Sequence, residues 1–71
     1  MKEKVGETAG QLWDLLKKKG ELNLADVPKH LTEKSAVVYQ AIGWLARENK
    51  IEYRTAGAKT FVSLAESEKI L

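Results

Sequence analysis

Residues 37–53 read VVYQAIGWLARENKIEY, and their hydrophobic period changes partway along. Val38, Ala41, Ile42 and Leu45 recur at spacings of three and four, which places them on one face of a helix. After Asn49 the spacing becomes two: Ile51 and Tyr53 alternate with Glu52 and Arg54, as in a half-buried strand. Asn49 stands at the junction, and asparagine tolerates the left-handed conformation in which many helices end. The stretch predicts a helix that hands over directly to a hairpin.

Downstream, TFVSL (60–64) reads as the second strand, with AGAK (56–59) between the two. Gly57 suits a turn position that needs positive φ. A two-residue Gly57–Ala58 turn and a four-residue 56–59 loop give one register, with 55 opposite 60, 53 opposite 62 and 51 opposite 64. Ile51, Tyr53, Val62 and Leu64 then share the face expected to be buried. Glu52, Arg54, Phe61 and Ser63 share the other, with Phe61 opposite or diagonal to Arg54.

Upstream, Thr32 is a candidate cap for the helix, which is expected to run to about Glu48. LTEK (31–34) leaves room for only a tight turn before it. A short second helix is expected from an Asn23 cap, with Asp26 supporting its first turn, through His30 and Leu31. Pro28 conflicts with a regular helix there, because it lacks an N–H to donate. ELNL (21–24) is short enough to form only a bridge to a later sheet. Val5, Ala9, Leu12, Trp13 and Leu16 mark a first helix over about 4–19, with Leu15 broadening its face. Lys17, Lys18, Lys19 and Gly20 give it a C-terminal signature.

The order helix, bridge, helix, tight turn, helix, hairpin resembles a winged helix-turn-helix over about residues 5–64. GWLAREN (43–49) resembles small single-domain winged-helix proteins of bacteria and archaea. The resemblance implies an α+β fold, mainly α with a small β-hairpin: three helices, a two-stranded wing and a short third strand near 21–23, in a single domain spanning 1–71. It also implies double-stranded DNA as partner and transcriptional regulation as role. Lys34, Ser35, Val37 and Gln40 would face the DNA from the third helix, with Tyr39 flanking, and Arg54 and Lys59 from the wing. Gln40 offers an amide that can read adenine, while Lys34, Ser35, Arg54 and Lys59 would hold phosphates. The front of the helix also carries Glu33, Ala36 and Val37, and no arginine before Arg47. The alternative is a protein-interaction module on the same scaffold.

Composition narrows the rest. In 71 residues there is no cysteine and one histidine, so disulfide frameworks and the usual zinc spacings are absent from the sequence. A core of this size rarely supplies more than about 3–5 kcal/mol, which, with the advantage of two half-sites, motivates an expected homodimer. No apolar run approaches the ~18 residues of a membrane span, and no secretory h-region precedes the first helix, so a cytoplasmic location is expected. The net charge is +2. Residues 28–60 carry six bases (Lys29, Lys34, Arg47, Lys50, Arg54, Lys59) against three acids (Glu33, Glu48, Glu52), a bias toward an anionic partner. No nucleophile–base pair, phosphate loop or small-molecule signature stands out, so neither catalysis nor a cofactor is expected.

Several residues have a structural expectation. His30 is expected at the surface, paired with Asp26. Trp13 and Trp44 are expected in the core or at its edge. Gly43, costly inside a helix by roughly 0.5–1 kcal/mol, is expected to admit a close neighbour such as the Trp13 ring, or else a partner's backbone. AESEKIL (65–71) is expected as a frayed end, or as a helical turn whose Ile70 and Leu71 reach a second subunit.

Overall fold

The computed structural model describes residues 2–69. The elements are α1 (Lys2–Lys19), β1 (Glu21–Asn23), a 3₁₀ helix (Leu24–His30), α2 (Ser35–Arg47), β2 (Ile51–Ala56), β3 (Lys59–Leu64) and the short α3 (Glu66–Lys69).

The apolar stripe of α1 buries Ala9, Leu12 and Leu16. The helix stops at Gly20, whose φ is 84°, and the Gly20 N–H donates to the Leu16 carbonyl at 2.8 Å. This left-handed position is cheap only for a residue without Cβ. The chain then enters β1 at once. Asn23 ends the strand and caps the next turn, its side-chain oxygen accepting from the Ala25 N–H at 3.0 Å.

Pro28 decides the form of the next element. The expected second helix is a 3₁₀ helix throughout, with Pro28 inside it and Val27 as its buried side chain. The tighter winding accommodates a residue that would cost an α-helix both a hydrogen bond and a clash.

The expected third helix is α2, and its start differs from expectation. Thr32 does not cap it. Lys34 occupies the cap position without a side-chain hydrogen bond, and the Glu33 carboxylate accepts from the Lys34 N–H at 3.3 Å instead. The 3₁₀ helix runs to His30, residues 31–33 make the bend, Lys34 is extended, and the first helical residue is Ser35. At the other end the expectation holds. Asn49 has φ 59°, its N–H donates to the Ala46 carbonyl at 3.1 Å, and the Lys50 N–H donates to the Leu45 carbonyl at 2.9 Å. These are the two bonds of a Schellman cap, which turns the chain directly into β2.

The three strands form an antiparallel sheet in the order β1–β3–β2. The hairpin register is the expected one: Ile51 opposite Leu64, Tyr53 opposite Val62 and Thr55 opposite Thr60, closed by a two-residue turn with Gly57 at φ 62°. β1 adds Leu22 opposite Val62 on the far side of β3. Ile51, Val62 and Leu64 are buried as expected, but Tyr53 is 50% exposed. β2 is an edge strand that the core covers only at Ile51, so a residue on the correct face still lies beyond the helices.

The core forms where α1, the 3₁₀ helix, α2 and the sheet meet. Leu12, Leu16, Val27, Val38 and Val62 are its most enclosed side chains, joined by Ala41, Ile42 and Leu45. α3 is a helical turn; Ile70 and Leu71 lie outside the described residues.

Candidate nucleic-acid interface

α2 buries one side and leaves the other in solvent. Lys34, Ser35, Ala36, Tyr39, Gln40, Gly43, Trp44 and Arg47 are exposed. Ser35 and Tyr39 are four residues apart, as are Ala36 and Gln40, so their side chains stand in adjacent rows along one surface. Four of the expected contact residues therefore lie together, Ser35, Tyr39 and Gln40 on α2 and Lys34 at its cap position. The fifth does not. Val37 is only 4% exposed, because the apolar stripe of α2 is wide enough to take both Val37 and Val38. Its side chain cannot reach a nucleic acid, and it is equally absent from any apolar docking front.

The acid at the mouth of this surface is partly offset: Glu33 lies 3.8 Å from Lys4 Nζ on α1. Asp26 pairs with Lys29 at 3.2 Å rather than with His30.

Arg54 and Lys59 both stand on the outer face of the hairpin, in the row that includes Phe61. Lys59 is exposed beside the turn. Arg54 is committed elsewhere. Its Nη2 and Nε donate to the two carboxylate oxygens of Glu21 at 2.6 and 3.0 Å, and its guanidinium lies 4.7 Å from the centroid of the Phe61 ring. This bond spans the sheet, from the edge strand β2 over the central β3 to β1. The hydrogen bond with Arg54 holds the Glu21 carboxyl below the ordinary carboxylate range and raises Arg54 further. Sequence reasoning missed Glu21. It predicted a strand at 21–23 but not its register, and only the pairing of Glu21 with Ser63 places that carboxylate within reach of Arg54.

The two tryptophans part company. Trp13 is half-buried; its Nε1 donates to Glu68 on α3 at 3.0 Å, and Lys17 Nζ lies 5.0 Å from its ring centroid. Trp44 is 45% exposed, not in the core. Nor does Gly43 admit a packed neighbour: a Cβ built there would meet nothing within 4 Å. The packing explanation for Gly43 is overturned.

Among the described residues no group of His, Asp and Glu could hold a metal ion, and no helix is long and apolar enough to cross a membrane.

Comparison with known proteins agrees with this architecture. A family model described as "Winged helix-turn-helix domain (DUF2582)" matches residues 1–64. An uncharacterized protein of Methanocaldococcus jannaschii, MJ1608, is 49% identical over 51 residues, covering 68% of this chain and 71% of its own length. No solved structure matches the chain.

Proposed function

We propose, from the premise that this chain belongs to the winged helix-turn-helix domain family matched over residues 1–64, that it binds double-stranded DNA and regulates transcription in the cytoplasm. α2 enters the major groove, and the hairpin lies along the backbone as a wing. Lys34, Ser35 and Lys59 hold phosphates, Gln40 reads a base edge, and Tyr39 flanks it. Arg54 joins only by exchanging the Glu21 carboxylate for a phosphate, since both fit the same two-pronged donor. The observation that supports this reading is the exposed polar strip of α2, where Ser35, Tyr39 and Gln40 stand together on a rigid helix.

A second reading, a protein-interaction module without nucleic-acid affinity, is favoured by one observation. Tyr39, Trp44 and Tyr53 are large hydrophobic side chains about half exposed, and tyrosine and tryptophan are enriched at protein interfaces.

Amide chemical-shift mapping with a short duplex separates the two. DNA binding moves the resonances of Ser35, Tyr39, Gln40 and Lys59, and Gln40→Ala narrows the affinity gap between duplexes of different sequence. Shifts confined to other surfaces, or none, would overturn the DNA assignment.

A further inference from the structure

We propose that β2 is the contact surface of a two-fold dimer, in which the free edge of the sheet pairs antiparallel with β2 of a second copy, Tyr53 against Tyr53. Four observations lead to this arrangement.

The first is an edge open to pairing. β2 is an outer strand, six residues long, and exposed from Glu52 to Ala56. Edge strands are ordinarily blunted by proline, by a bulge or by an inward-pointing charge. Residues 51–56, IEYRTA, contain no proline and no lysine, and their pairing with β3 runs without a bulge from Ile51–Leu64 to Ala56–Lys59. The inner face of β2 carries Ile51, Tyr53 and Thr55, none of them charged at neutral pH.

The second is the direction of the main-chain groups. The Ala65 N–H donates to the Lys50 carbonyl at 2.9 Å. Bonding alternates along an antiparallel ladder, so Glu52, Arg54 and Ala56 also turn their main-chain groups toward β3. Ile51, Tyr53 and Thr55 turn theirs to the free edge.

The third is the course of Arg54. It is a long charged side chain of β2, and it runs away from the free edge, over Phe61 to Glu21 on β1. It therefore does not guard that edge.

The fourth selects the occupant. The three outward-facing residues are symmetric about Tyr53. In an antiparallel pair centred there, Ile51 of each copy meets Thr55 of the other, and every outward-facing N–H and C=O of both strands is bonded. A slide of two residues either way leaves one of the three without a partner strand. It also sets Glu52 against Glu52, or Arg54 against Arg54. A slide of one residue would turn the inner face of one copy to the outer face of the other. In the centred register Glu52 lies opposite Arg54 and Lys50 opposite Ala56, so no like charges face each other across the pair. The match needs no new ion pair, because Arg54 keeps Glu21. Tyr53, 50% exposed in the single chain, gains a facing aromatic ring. Main-chain pairing alone would accept any extended peptide; a strand that is its own complement about a two-fold axis fits a second copy.

Sedimentation equilibrium of the full chain without DNA, joined to amide hydrogen exchange at two protein concentrations, tests this independently of the DNA reading. The wild type is expected to show a monomer–dimer equilibrium. The Ile51, Tyr53 and Thr55 amides should exchange more slowly at the higher concentration, while those of Glu52 and Arg54, already bonded to β3, change little. Tyr53→Lys should weaken association by at least about tenfold and leave the circular dichroism spectrum unchanged, because it sets two ammonium groups face to face at the axis. Thr55→Pro, which removes a donor that β3 does not use, should weaken it as well. If neither variant folds, the exchange pattern of the wild type decides. A wild type monomeric at every concentration would overturn the proposal, even if it captured a foreign strand at this edge. So would a dimer indifferent to Tyr53→Lys, or exchange at Ile51, Tyr53 and Thr55 that does not depend on concentration.

Discussion

Arg54 and Glu21, on the two outer strands of the sheet, are joined by two hydrogen bonds of 2.6 and 3.0 Å that pass over the ring of Phe61 on the strand between them. The pair ties the edge strand β2, which packs on the core only at Ile51, to a strand that comes directly after α1. A solvent-exposed ion pair ordinarily contributes little, but two-pronged geometry and ring stacking make this one better than most.

The first prediction concerns acid. Because Arg54 lowers the pKa of Glu21 in the folded protein, the bridge adds stability above the ordinary carboxylate range. That contribution is lost as pH falls through the depressed folded value. Urea unfolding measured at neutral pH and in acid should therefore show a smaller loss of stability for Glu21→Gln than for the wild type over the same interval. Equal losses would mean that the bridge does not form in solution.

The second concerns binding. In the free protein Glu21 neutralises the wing arginine. Glu21→Gln should release it, so DNA affinity rises and the salt slope steepens by about 0.9, the value for one further phosphate contact. Fluorescence anisotropy at several salt concentrations measures both. An unchanged slope with weaker binding would make Arg54 a residue that positions the wing and touches no phosphate.

The third concerns Gly43. Its surroundings are open and its backbone is helical, so Gly43→Ala should stabilise the fold by roughly 0.5–1 kcal/mol, read from the urea midpoint. If the same variant also weakens DNA binding, the missing side chain serves close approach of the DNA backbone. A loss of stability would mean that something packs there after all.

The fold obeys the local signals in the sequence closely. The change of period at Asn49, the glycine at residue 20 and the Asn23 cap each depend on a few neighbouring residues, and each appears as expected. The hairpin register was legible too, because a turn at Gly57 leaves one pairing that buries Ile51, Val62 and Leu64. What was not legible depends on where other elements stop. Tyr53 has the right face but no helix over it. Trp44 and Gly43 sit where α1 could have covered α2 and does not. Val37 is buried because the stripe of α2 is wider than spacing alone indicates. The candidate site was half legible. Lys34, Ser35, Tyr39 and Gln40 could be placed from helical spacing, whereas the partner of Arg54 required the register of a three-residue strand.

The most direct test of DNA binding is the anisotropy of a labelled random duplex titrated with protein at about 50 and 200 mM salt. Lys34 and Lys59 on two phosphates predict binding that weakens as salt rises, with a slope of about −1.8 in the logarithms. Absence of binding at the lower salt, or binding indifferent to salt, would contradict the assignment of α2 and the hairpin to DNA.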